Sequence, residues 1–66
     1  MKNRIREHRA RLQMNQETVA QHIGIARPSL SAIENGKFVP STELALRLAR
    51  LFGVPVEQIF SLEDEQ

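Results

Sequence analysis

Gln16–Lys37, QETVAQHIGIARPSLSAIENGK, organises this chain. Its apolar positions, Val19, Ile23, Ile25, Leu30 and Ile33, fall on the facing surfaces of two short amphipathic helices. The spacing predicts the first over Gln16 to about Ile23 and the second over about Pro28 to Asn35. Gly24 stands where the first must stop, because glycine enters φ > 0 without a steric cost. Ala20, four residues earlier, is small enough for the second helix to cross closely. Asn15 is the natural N-cap of the first helix. Ala26, at the matching place before the second, forfeits about 1 kcal/mol relative to serine or threonine. Pro28 fits only a first helical turn and discourages helical geometry at Arg27, which becomes an entry residue.

Two such helices meeting at a tight turn make a helix-turn-helix, which sets its second helix against a DNA groove. The flanks supply the rest of a small helical domain. Met1 to Leu12 reads as an arginine-rich helix with Ile5, His8, Arg9 and Leu12 on one face. An arginine on that apolar stripe needs a carboxylate, since a buried unpaired charge is very costly. Ser41 caps a strongly helical run, Thr42 to Phe52, closed by Gly53. A last short helix is expected over about Val56 to Phe60, with a frayed acidic tail at 63–66. The expected fold class is all-α, a compact five-helix domain over 1–66.

Sixty-six residues bury only about 60% of the surface that the unfolded chain exposes, so the core is thin. Cysteine is absent, which excludes disulfides and thiolate metal sites. His8 has no second ligand at metal spacing, so it is expected to pack, and no metal or other cofactor is expected. No apolar run is long enough to span a membrane or form a signal peptide, and a cytoplasmic protein is expected. The net charge of +1 hides an asymmetry. Residues 1–37 carry seven basic side chains against three acidic; residues 38–66 carry two against five. One part of the surface therefore attracts phosphates more than the other.

With these residues in place, the chain resembles the Cro/repressor-type helix-turn-helix proteins, or XRE family, of phage and bacterial regulators. The likeness runs from Asn3 to about Leu62 through NQETVAQHIGIA, AIENGK and ELALRLARLFGVPVEQIF. It implies a lambda-repressor-like domain and a sequence-specific regulator of double-stranded DNA, a repressor in the first instance. Gln16, Asn35 and Lys37 match phosphate-contacting positions, with Gln16 also bracing the recognition helix. Arg9 and Glu34 match a structural ion pair. Base readout falls to positions matching Arg27, Pro28, Ser29, Ser31 and Ala32. Of these only Arg27 is long enough for a bidentate contact with guanine, its alternative role being a phosphate clamp. Pro28 and Ala32 offer apolar contact to a thymine methyl, and Ser29 and Ser31 suit a base edge or a phosphate. The family's frequent glutamine or asparagine is absent from positions 28 and 32, which shifts readout toward DNA shape and paired half-sites.

The likeness also implies a homodimer on a pseudo-palindromic operator, with Phe52, Val54, Val56, Ile59, Phe60 and Leu62 as its face. Those residues alternatively close the core of the monomer. Some small members pair Met1–Asn3 with the segment matching Ser61–Glu63 as strands. A protein-interaction module, such as the antitoxin of a toxin–antitoxin pair, is the competing function. An enzyme is not expected: no nucleophile–base set, carboxylate pair or phosphate-binding glycine loop stands out, and no small-molecule ligand is implied.

Overall fold

The computed structural model describes residues 1–63, so most of the expected tail, residues 64–66, lies outside the described part. In chain order the elements are β1 (Lys2–Asn3), α1 (Ile5–Arg11), α2 (Gln16–Ile23), α3 (Arg27–Glu34), α4 (Thr42–Phe52), a 3₁₀ turn (Val56–Gln58) and β2 (Phe60–Ser61).

The helices with strong local signals start and stop where those signals stand. Asn15 accepts a hydrogen bond from the Thr18 N–H at 2.8 Å, and Ser41 accepts one from Leu44 at 3.2 Å. Gly24 and Gly53 end α2 and α4 in the left-handed region, at φ 80° and 72°. Gly24 has a second constraint. A Cβ there would lie 3.2 Å from Nη1 of Arg47, which donates to the carbonyl of Ile23 and so closes the end of α2.

Three expectations are corrected. The first helix does not reach back to Met1: Lys2 and Asn3 form a strand antiparallel to Phe60–Ser61, with Lys2 opposite Ser61 and Asn3 opposite Phe60. The Arg4 N–H then donates to the Ile59 carbonyl at 2.7 Å, tying the entry of α1 to the chain just before β2. The last helix shrinks for the same reason. Its 3₁₀ bonds, Gln58 N–H to Pro55 and Ile59 N–H to Val56, give way at Phe60 to the strand. The described residues thus hold four α-helices and a two-stranded sheet, not five helices. Arg27, lastly, is helical and not an entry residue. The Ala26 carbonyl accepts from both Ser29 and Leu30, and that first turn overrides the local bias imposed by Pro28.

The core draws on all four α-helices and on the segment from Ile59 into β2. Ile5, Val19, Ala20, Ile23, Leu30, Ile33, Leu48, Phe52, Ile59 and Phe60 are buried together. Phe52, Ile59 and Phe60 therefore close the core of the chain, while Leu62 is 58% exposed. His8 packs its ring on Phe52, centroids 5.3 Å apart. Its Nε2 lies 3.1 Å from the Gln58 carbonyl, where an Nε2–H donates.

Candidate nucleic-acid interface

The geometry of the motif begins at the far end of α3. Glu34 is the last residue of that helix, and its side chain is 0% exposed. Arg9 grips the carboxylate with two bonds, Nε to Oε2 at 2.8 Å and Nη2 to Oε1 at 3.2 Å. Arg6 adds Nε to Oε1 at 3.3 Å from the solvent side. Gln16, the first residue of α2, donates its amide Nε2 to the same Oε1 at 3.0 Å. Burial alone would raise the Glu34 pKa. The hydrogen bonds from Arg9 and Gln16, the Arg9 charge and the bond from Arg6 together outweigh burial and hold it below the usual carboxylate value.

From this hub a polar chain leads outward. The carbonyl of the Gln16 side chain accepts from Nη1 of Arg27 at 3.2 Å. The carboxylate at the C-terminal end of α3 is thereby linked, through one residue of α2, to the guanidinium at its N-terminal end. Arg9 also donates from Nη1 to the Met14 carbonyl at 3.3 Å, so α1 holds the link into α2 as well. On the opposite side Asn3 donates its side-chain amide to the carbonyls of Ile33 and Glu34, at 3.0 and 3.3 Å. The strand that displaced the start of the first helix therefore also satisfies the last turn of α3.

The residues expected to meet DNA fall into distinct states. Arg27, Pro28 and Ser29 are exposed on the first turn of α3, and Ser31 and Ala32 are half-buried one turn on. Lys37 is exposed beyond the helix. Asn35 is exposed, but its side chain has neighbours: Oδ1 accepts from Nη2 of Arg6 at 3.0 Å, and Nδ2 lies 3.4 Å from the Ser31 hydroxyl. The backbone around Asn35 is unavailable to a phosphate. The N–H groups of Asn35, Gly36 and Lys37 donate to Ser31, Ile33 and Ala32, closing the helix end with Gly36 at φ 76°. Phosphate contact in this region is left to side chains. At the start of α2, the N–H groups of Gln16 and Glu17 lie in the first turn, where a helix provides no internal partner.

Some residues that hold this surface carry no sequence signal of their role. Arg11 reaches the Phe52 carbonyl at 2.8 Å and Arg47 that of Ile23 at 3.1 Å, each satisfying a helix end from a distant element. A long side chain bonding a backbone carbonyl leaves no pattern in the residues. The stripe position of Arg9, by contrast, calls for a carboxylate. Among the described residues no cluster of histidine and carboxylate side chains has the arrangement of a metal site. Nor is any helix there long and apolar enough to cross a membrane.

A helix pair crossing at a glycine turn, with an exposed N-terminal surface on the second helix braced from behind, defines a DNA-binding helix-turn-helix domain. The chain belongs to the XRE-type helix-turn-helix family: the family model described as "Helix-turn-helix domain" matches residues 3–65. It is 42% identical over 66 residues to an uncharacterized HTH-type transcriptional regulator of Methanocaldococcus jannaschii, covering all of both chains. It is also 42% identical over 65 residues to the uncharacterized HTH-type transcriptional regulator YgzD of Bacillus subtilis, covering 98% of each. The cryptic phage CTXphi transcriptional repressor RstR of Vibrio cholerae is 36% identical over 59 residues. That match takes in 89% of this chain and 53% of RstR.

Proposed function

We propose that this protein is a transcriptional repressor that binds a pseudo-palindromic operator as a homodimer, inserting α3 into the major groove. The observation that carries the reading is the relay from Glu34 through Gln16 to Arg27. It fixes the height and angle of the recognition helix while leaving the outward side of its first turn exposed. Arg27 reads guanine, Pro28 and Ala32 offer apolar contact, and Ser29 and Ser31 complete the base-reading edge. Gln16, Lys37 and Asn35 hold phosphates on either side, with Gln16 using the amide hydrogen that Glu34 does not take. Arg9 and Glu34 serve the structure only.

One eight-residue helix makes few contacts, so a twofold pair reading half-sites about 34 Å apart raises affinity by joining two weak events. Of the residues assigned to the dimer face, Val54 and Val56 are half-buried and Leu62 is exposed. Leu46, 57% exposed, extends that face beside a cleft of about 240 Å³ bordered by Met1, Pro40, Ala45 and Val56. The pairing in this reading draws mainly on these residues, with Phe60 lining the same cleft and Phe52 and Ile59 supporting it from the core.

Selection from a random duplex pool, with affinity measured from low to high salt, tests the reading. An enriched motif with twofold symmetry and a steep fall in affinity with salt is expected. Absence of any enriched sequence, or a slope near zero, would overturn it.

A further inference from the structure

Phe38 is 54% exposed in the loop after α3. A phenyl ring in water loses free energy that contact with an apolar partner recovers. Its neighbours identify the partner. Phe38 shares a cleft of about 380 Å³ with Pro28, Ser29, Ala32 and Lys37. Three of those residues belong to the outward side of α3, and Lys37 stands beside them as the single charge of the lining. No carboxylate borders the cleft, so nothing there repels a phosphate. The cleft has no residue in common with the one at Leu46.

We propose that Phe38 is a specificity-determining residue: with Pro28 and Ala32, its ring receives the 5-methyl group of a thymine, while Lys37 holds an adjoining phosphate. The inference rests on the reading of the chain as a DNA-binding regulator. Thymine is the base that presents an apolar group in the major groove, and a carbon-lined cleft with a cation beside it complements that methyl and its backbone. Apolar readout through Phe38 also gives Pro28 and Ala32 a third wall, since a proline ring and a single methyl enclose little by themselves.

The test uses the selected operator, with each thymine replaced in turn by deoxyuridine. That change removes the methyl and preserves base pairing. At one position in each half-site the wild-type protein should lose about fourfold in affinity, the worth of burying one such group. Phe38→Ala should lose most of its preference for thymine over deoxyuridine operators and keep its affinity for non-operator duplex. Phe38→Leu should retain part of the discrimination. Lys37→Ala should weaken every duplex alike. Undiminished preference for thymine in Phe38→Ala would overturn the proposal, as would equal binding of both operators by the wild type. So would a Phe38→Ala protein that dissociates to monomers in sedimentation without DNA, which would assign the ring to protein pairing. If no operator is enriched at all, the DNA-binding reading itself fails and this assignment falls with it.

Discussion

The two helices of the motif end alike and begin differently. Both α2 and α3 close on a left-handed glycine, Gly24 and Gly36, with the following N–H turned back onto the helix. At their starts the likeness ends. Asn15 caps α2 with a 2.8 Å side-chain bond, whereas Ala26 offers α3 no side-chain hydrogen bond, and Pro28 removes a backbone donor from its first turn. Local chemistry specifies α2; tertiary contacts must specify α3. Those contacts are the buried Leu30 and Ile33, the grip on Glu34 at one end, and the Gln16–Arg27 bond at the other. A helix fixed from behind and from its tail keeps the outward side of its first turn free, which is what base reading requires.

The largest expected effect comes from releasing the tail of α3. Glu34→Ala leaves Arg9, only 18% exposed, without its carboxylate, and should cost about 3–5 kcal/mol in chemical denaturation. Acid should act on the same group. The folded Glu34 carboxyl ionises below its unfolded value, so the unfolded chain takes up the proton first. The stability from this site is therefore complete above the ordinary carboxylate range and is lost as pH falls through the folded pKa. In Glu34→Gln the part of the acid transition due to this group should vanish.

The contrast between the helix starts can be altered from either side. Asn15→Ala should destabilise the protein by about 1 kcal/mol through loss of the α2 cap. Ala26→Ser is the converse and smaller change. The backbone at Ala26, φ −75° and ψ 149°, already suits a capping residue, so serine should add up to about 1 kcal/mol. If Asn15→Ala proved silent while Ala26→Ser was strongly stabilising, the division between a locally specified and a tertiary-specified helix would be reversed.

The same division marks what was legible in the sequence. The bounds of α2 and α4 follow from Asn15 with Gly24 and Ser41 with Gly53, because each signal lies within one turn of what it controls. The start of α1 was not legible in its own residues; only the resemblance implied a strand over Met1–Asn3, and Lys2–Asn3 does pair, with Phe60–Ser61 and not with Ser61–Glu63. Arg4 has no capping bond, and what stops the helix there is pairing of Lys2–Asn3 with residues nearly sixty positions away. The over-long last helix has the same origin, since Phe60 is paired as a strand opposite Asn3. Within the site, Arg9 on an apolar stripe demands a carboxylate. The second bond of Gln16, its reach to Arg27, depends on the crossing of two helices and leaves no spacing to read. Phe38 passes as an ordinary loop residue until its cleft with Pro28 and Ala32 is seen.

In the proposed function the outward side of the first turn of α3, led by Arg27, reads bases. Selection of DNA by the wild type and by Arg27→Ala, run side by side on one random pool, tests it most directly. The variant should fold, keep the same overall motif, and lose about 1–3 kcal/mol of discrimination at a single base pair in each half-site. An unchanged preferred sequence, with equal discrimination at every position, would contradict it.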